Sequence, residues 1–259
     1  GVCVLDIDHL SSIFGKAEWF DDRYWHYSKH AMSINTMGLL CHQAARLIGA
    51  LKGKAKKCIV LDLDNTLWGG VIGDDGPQGI QIGQGTVEGE SYSKFQDYLL
   101  ALKERGIILA VCSKNEESIA AAAFEETPGM TLKLDDFAAF VANWSNKADN
   151  IIQIAETLDI GLDSMVFVDD NPVERDLVRS MLPMVAVPEL PEDPSQYLKC
   201  LDNECYTELL SFTSEDSQRT DLYRANATRK EAQSKYSNLD DFLEHLDMES
   251  ISGRFDVQY

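Results

Sequence analysis

The sequence predicts an α/β protein built on a doubly wound, mostly parallel sheet. Two observations carry that expectation. Short apolar runs alternate with longer amphipathic stretches along the middle of the chain, and three of those runs end in polar residues, as strands do at the ligand-binding rim of an open parallel sheet.

The elements follow in order. Residues 1–8 (GVCVLDID) read as a short strand, and 30–54 as a helix that stops at Gly53 among several lysines. CIVLDLD (58–64) reads as a buried strand. In WGGVIGDDGPQGIQIG the Gly, Asp and Pro clusters alternate with Val and Ile, so 68–85 reads as a flap of one or two tight hairpins. A helix over 91–106 closes at Gly106; a strand over 107–113 (IILAVCS) and a helix over 118–127 come next. FAAFVANW (137–144) contains a strand, and 146–161 is a helix ending at Gly161. SMVFVDD (164–170) is a strand, 171–182 a helix with Pro172 in its first turn, and MVAVP (184–188) a last strand. Residues 192–248 are polar and helix-like, with Tyr206, Leu209, Leu210, Phe242, Leu243 and Leu246 as apolar anchors. The expected organisation is a lead-in over 1–56, a catalytic core over 57–191 and a helical extension over 192–259.

Composition narrows the function. With 43 acidic against 23 basic side chains the 259-residue chain carries a formal net charge of −20, which disfavours nucleic acid and anionic membrane surfaces as partners. No run approaches the roughly 18 apolar residues of a membrane span. GVCVLDID lacks the layout of a signal peptide, so a cytoplasmic protein is expected. The first residue is Gly, not Met, which suggests a piece of a longer polypeptide. The six cysteines are scattered, so reduced thiols are expected, and neither they nor His26, His30, His42 and His245 show zinc-binding spacing.

The chemistry gathers at strand ends. Asp62 and Asp64 close one expected strand, Ser113 a second, and Asp169 and Asp170 a third. Clustered acids repel one another, and a hard cation such as Mg²⁺ is the natural reason to collect them. With the charge neutralised, one carboxylate can attack phosphorus while another handles the leaving group's proton. Thr66 and Ser113 can donate to phosphate oxygens, and Lys147, opening a helix, can hold the transferring group. VCVLDIDHL (2–10) also runs into DxD, but Leu10 stands where Thr is needed, so Asp6 and Asp8 read as an ordinary strand end and His9 belongs with them.

DLDNTL at 62–67, Ser113, Lys147 and DDNP at 169–172 resemble, in order and spacing, the four motifs of the haloacid dehalogenase (HAD) superfamily. The resemblance implies a HAD-type Rossmannoid core with a β-hairpin flap and no large cap domain. It implies that Asp62 is the nucleophile, Asp64 the general acid and base, and Lys147 the stabilising cation. Thr66 and Ser113 would bind phosphate. The implied metal site uses Asp62, the Asp64 backbone carbonyl and Asp170, with Asp169 behind them.

WGGVIGDDGPQGI, VCSKN, NWSNKADNI and FVDDNPVER together resemble the FkbH-like branch of that superfamily, and WFDDRYWHYSKHAMS and RTDLYRANATR extend the likeness over most of the chain. That branch implies transfer of the glyceryl group of 1,3-bisphosphoglycerate to the phosphopantetheine thiol of an acyl carrier protein, with dephosphorylation, in polyketide biosynthesis. Such chemistry asks for a thiol. Cys112 precedes Ser113 at the rim, whereas Cys58 lies ~13 Å back along its strand at about 3.3 Å per residue, so Cys112 is the expected acyl acceptor. The alternative is that strand alternation turns Cys112 into the core.

Lys114 and Arg175 stand beside motif residues and could bind a carboxylate or second phosphate, and Trp68 either closes the flap over substrate or anchors its packing. Only 50 residues separate Asp62 from Ser113, and 33 separate Ser113 from Lys147, so neither gap holds a cap and the rim should be open to a protein-borne arm. Carrier proteins are commonly acidic, so lysines 52, 54, 56 and 57 could form a compensating patch. A plain Mg²⁺-dependent phosphatase of a small metabolite is the alternative, and a non-catalytic docking domain is a further one.

Overall fold

The computed structural model describes residues 4–208 and 219–234. Four parallel strands, β1 (Cys58–Leu61), β2 (Ile108–Ser113), β3 (Phe137–Ala142) and β4 (Met165–Val168), form one sheet in the order β3-β2-β1-β4. The chain adds β2 and β3 on one side of β1 and then returns to place β4 on the other. Right-handed crossovers therefore put α6 (Val87–Glu104) and α7 (Glu117–Glu126) on one face, and α8 (Lys147–Leu158) and α9 (Pro172–Met181) on the opposite face. The reversal falls beside β1, so the crevice at the carboxyl edge of the sheet opens over the end of β1.

Strand alternation sorts the core into two layers. Ile59, Leu61, Leu109, Val111, Val166 and Val168 pack with Phe95 and Leu99 of α6 and Phe124 of α7. Cys58, Val60, Ala110, Cys112, Met165 and Phe167 pack with Ile151 and Ile154 of α8 and Val178 of α9. All four residues of β1 and of β4 are buried, as expected of strands covered on both faces.

Three elements differ from the sequence reading. In the described part of 1–8 the expected strand is replaced by α1 (Ile7–Phe14), because Asp6 caps that helix, its carboxylate accepting from His9 N at 2.9 Å. Asp8 pairs with Lys16 on the surface, so this second DxD takes no part in the rim. The flap over 68–85 closes through one antiparallel bridge, Gly69 with Gln81, around the short helix α5 (Ile72–Asp75). Asp75 and Asp64 accept from the backbone N–H groups of Val71 and Ile72, the donors that a further hairpin would have paired. The last expected strand, 184–188, is reduced to one parallel bridge between Ala186 and Val166.

The remaining described helices are α2 (Lys16–Trp19), α3 (Asp22–Ser28), α4 (Met37–Leu51), α10 (Tyr197–Asn203) and α11 (Arg219–Ser234). Leu209, Leu210, Phe242, Leu243, Leu246 and His245 lie outside the described residues. No helix among the described residues is long and apolar enough to cross a membrane. Between Asp62 and Lys147 the chain forms the flap with α5, then α6, β2, α7, a 3-10 turn over Leu134–Asp136 and β3, which leaves no cap domain over the rim. Lysines 52, 54, 56 and 57 precede β1 at the amino edge of the sheet, where Lys57 N bonds Ser164 O and the Lys56 ammonium bonds Asp163 O. They are at the opposite edge from the carboxylates and so do not flank the rim.

Gln96 ties the flap's base to the far side of α6. It is fully buried, donates to Leu67 O at 2.8 Å, and accepts from Thr131 N and Leu132 N at 3.0 Å each. Replacing it with leucine leaves those backbone groups without partners in the interior. Gln96→Leu is expected to lower stability by roughly 2–4 kcal/mol, read from the midpoint of urea unfolding.

Candidate active site

Each functional side chain reaches the rim from the carboxyl end of a strand or the first turn of the following helix. Asp62 has the parity of Cys58 and Val60, and Asp169 that of Met165 and Phe167, so both point to the face covered by α8. There they meet Lys147, whose ammonium lies 3.0 Å from Asp62 Oδ2 and 2.6 Å from Asp169 Oδ2 and above the Phe167 ring. The next residue, Asp170, falls on the other parity and turns towards Thr66. Its backbone N–H donates to Thr66 Oγ1 at 3.1 Å, and the Thr66 hydroxyl donates to Asp170 Oδ1 at 3.3 Å. Thr66, expected to bind phosphate, therefore fastens the two acidic loops together.

The electrostatics leave room for a cation. One carboxylate oxygen from each of Asp62, Asp169 and Asp170 lies within 4.8 Å of the others. Three carboxylates against one ammonium leave two negative charges uncompensated. Burial opposes the charged form of Lys147, but the charges of Asp62 and Asp169 and their hydrogen bonds outweigh it and hold the ammonium above its ordinary pKa. Burial, and then the charge of Asp62, raises both Asp169 and Asp170. Asp169 has both oxygens taken, Oδ2 by Lys147 and Oδ1 by Asn171 N at 2.8 Å. Asp62 Oδ1 is buried without a hydrogen-bond partner, an arrangement that costs free energy unless a ligand completes it. Hard carboxylate oxygens around an orphaned acceptor fit Mg²⁺ better than a softer metal.

Asp64 stands apart from that cluster. Its Oδ1 accepts from Trp68 Nε1 and Ile72 N, and its Oδ2 from Asn115 Nδ2, each at 3.0 Å. Trp68 is fully buried and packs edge-on against Phe124, so it anchors the flap and donates to Asp64 at once. Asn65, between the two, adopts a left-handed conformation with φ of 55°, which asparagine tolerates. Its side chain accepts from Gly70 N, and its carbonyl accepts from the Tyr92 and Tyr197 hydroxyls at 3.3 and 3.1 Å.

The other expected residues divide. Ser113 is buried at the rim, where its Oγ accepts from Asn115 Nδ2 at 3.1 Å. Lys114 reaches Glu174 at 2.5 Å on the first turn of α9. Arg175 is buried and donates to the carbonyls of Asp169 and Asp170 at 2.9 and 2.7 Å, with Glu189 as its ion-pair partner. It holds the acidic loop in shape, while its Nε is buried without a hydrogen-bond partner. Cys112 points into the α8 layer, fully buried, with Sγ 3.7 Å from Lys147 O. Burial pushes its thiol up to about 12. The acyl-acceptor role expected of Cys112 has no support in this geometry, because a reactive thiol needs access and thiolate character.

Sequence reasoning passed over Asn115, Glu174 and the Tyr92–Tyr197 pair. Asn115 had a signal, since it lies two residues beyond Ser113 in the quoted VCSKN. The tyrosines had none, because they come from helices far apart in the chain. Beside the rim Asn65, Tyr92, Asp170, Arg175, Glu189 and Tyr197 help line a cavity of about 650 Å³.

No protein-family model matches the chain, and no curated protein does. It is similar to a crystal structure of the N-terminal part of a Bacteroides fragilis protein containing a phosphatase domain, complexed with Mg. Identity is 50% and the TM-score 0.74, over 80% of this chain and 55% of that one. This chain thus spans little more than half the length of that relative. A 3-deoxy-D-manno-octulosonate 8-phosphate phosphatase from Moraxella catarrhalis, in complex with magnesium, phosphate and KDO, matches at 17% identity and a TM-score of 0.33. That match covers 72% of this chain and 95% of that one. The parallel four-stranded sheet with helices on both faces is the α/β architecture expected from the sequence, and the Bacteroides fragilis structure matches it over 80% of this chain.

Two outcomes follow from this geometry. Lys147→Met strands Asp62 and Asp169 without their buried cation and is expected to cost about 3–5 kcal/mol, measured by chemical denaturation without added metal. In the native protein iodoacetamide should label the exposed Cys41 and leave Cys112 unmodified until denaturant is added, read by peptide mass mapping.

Proposed function

We propose that this chain is a Mg²⁺-dependent phosphoryl-transfer enzyme that hydrolyses small phosphorylated metabolites through an aspartyl-phosphate on Asp62. The observation that carries the reading is the meeting of Asp62, Lys147, Asp169 and Asp170 at one rim, with Asp62 Oδ1 buried and unpartnered. The Bacteroides fragilis structure, with its phosphatase domain and Mg, supports it.

Asp62 and Asp170, with Asp169 behind them, would hold the ion. Bound Mg²⁺ supplies positive charge against the phosphate oxygens. A carboxylate oxygen of Asp62 attacks phosphorus, forming a P–O bond as the ester P–O bond breaks. Asp64 gives a proton to the departing oxygen and later takes one from the water that cleaves the aspartyl-phosphate. Lys147 would hold the transferring group by charge, and the Ser113 hydroxyl by hydrogen bonding.

The finer reading is that the phosphorylated substrate is 1,3-bisphosphoglycerate and that its glyceryl group passes to an acyl carrier protein. The FkbH-like motifs support it, as does a rim with no cap domain that a phosphopantetheine arm could reach. With Cys112 buried, the thiol that attacks the acyl carbonyl is the carrier's own: the thioester forms as the acyl C–O bond breaks and the C1 phosphate leaves, the thiol proton going to solvent, and Asp62 takes the remaining phosphoryl group. Incubating the protein with 1,3-bisphosphoglycerate and a phosphopantetheinylated carrier tests this: a glyceryl mass added to the carrier supports acyl transfer, and phosphate release with an unchanged carrier mass leaves plain hydrolysis.

Phosphate release from p-nitrophenyl phosphate is expected with Mg²⁺, to stop with EDTA, and to fall by about 10³-fold or more in Asp62→Asn. Mg²⁺ should also raise the melting temperature, and less so in Asp170→Asn. Phosphate release that ignores both EDTA and the Asp62 substitution would refute the assignment.

A further inference from the structure

The flap bonds directly to Asp64, the carboxylate expected to move the leaving group's proton. Asp64 receives three hydrogen bonds from three separate places. Trp68 Nε1 and Ile72 N, both in the flap, bond Oδ1 at 3.0 Å, and Asn115 Nδ2, beyond the end of β2, bonds Oδ2 at 3.0 Å. Neither side-chain donor is a casual surface contact, since Trp68 is fully buried against Phe124 and Asn115 is 4% exposed. The Asn115 amide also reaches Ser113 Oγ at 3.1 Å, so one side chain spans the expected proton-transfer carboxylate and the expected phosphate-binding hydroxyl.

We propose that Trp68 and Asn115 are positioning residues that together aim the Asp64 carboxyl group at the leaving-group oxygen. The inference rests on the phosphoryl-transfer reading above and goes beyond it by assigning two residues outside the expected motif positions. A carboxylate can accept at about four lone-pair sites, so three protein donors fix its plane and still leave it capacity to carry the transferred proton. In the step concerned, the P–O bond to the Asp62 carboxylate forms as the ester P–O bond breaks, and the electron pair leaves on the ester oxygen. The proton on Asp64 moves to that oxygen. A leaving group that is stable as an anion does not need the proton, whereas an alkoxide does. Misaiming Asp64 therefore penalises poor leaving groups selectively, while loss of folded protein or of metal penalises all substrates alike.

The test compares kcat/KM for p-nitrophenyl phosphate with kcat/KM for glycerol 2-phosphate in the Mg²⁺-loaded protein. This parameter reports the transfer to Asp62 and leaves out the later hydrolysis. In Trp68→Phe, which keeps a ring against Phe124, and in Asn115→Ala, the ratio of the first to the second is expected to rise by about tenfold or more. Asp64→Asn should raise it at least as far, and Asn115→Ala added to Asp64→Asn should raise it no further. If Trp68→Phe does not fold by circular dichroism, Asn115→Ala carries the test, since it removes no packed ring. A ratio within about twofold of the wild-type value in folded variants overturns the inference and leaves the phosphoryl-transfer reading standing. A wild-type protein that turns over neither substrate with Mg²⁺ removes that reading, and the inference with it.

Discussion

The buried ammonium of Lys147 is the constraint on which the rest of the site depends. Asp62 and Asp169 sit at the ends of adjacent strands with the same parity, so the sheet forces their carboxylates together in a place nearly closed to water. Two like charges there would repel strongly and lack solvation. Lys147, brought in by the first turn of α8, bonds to both. It compensates only part of the negative charge, because Asp170 joins the cluster from the other side of the loop. The fold thus stabilises a site that is still short of positive charge, which is the electrostatic condition for taking up a divalent ion with an anionic substrate.

Much of the surrounding bonding holds loops and leaves little of it free for ligands. Arg175 clamps the carbonyls of Asp169 and Asp170, Thr66 joins the β1 loop to Asp170, and Gln96 secures the base of the flap. Asn65 takes a backbone conformation that few side chains accept, and two tyrosine hydroxyls converge on its carbonyl. Loops carrying charged groups at a sheet rim need such fastening, because the strands fix only where each loop begins. The flap takes part through Trp68, whose ring packs in the core while its N–H reaches Asp64. Packing and proton-transfer geometry are therefore coupled in one side chain.

What was legible in the sequence was what periodicity and strand ends encode. Apolar runs of strand length between amphipathic helices gave the parallel sheet, and the acids at those run ends gave the rim. Two of the three departures share a cause. The apolar run at the N-terminus read as a strand, yet Asp6 as a helix cap decided the local structure. The flap's Gly and Asp clusters read as hairpins, but the carboxylates of Asp64 and Asp75 took the backbone donors. In each case a side chain bonded the backbone and overrode the pattern. Cys112 shows the limit of adjacency: it precedes Ser113 in the chain, but one step along a strand changes the face.

By itself the sequence determined the order of the four sheet strands and of the helices between them, the class of sheet, and which acids and hydroxyls stand at strand ends, because those properties are set by residue spacing over short distances. The tertiary structure decided which of them touch. Lys147 between two carboxylates, Asn115 on Asp64, Arg175 turned onto the acidic loop and Cys112 turned into the core all depend on which strands lie side by side and which helix covers each face. Those relations join residues tens of positions apart, and they arise only when the layers pack.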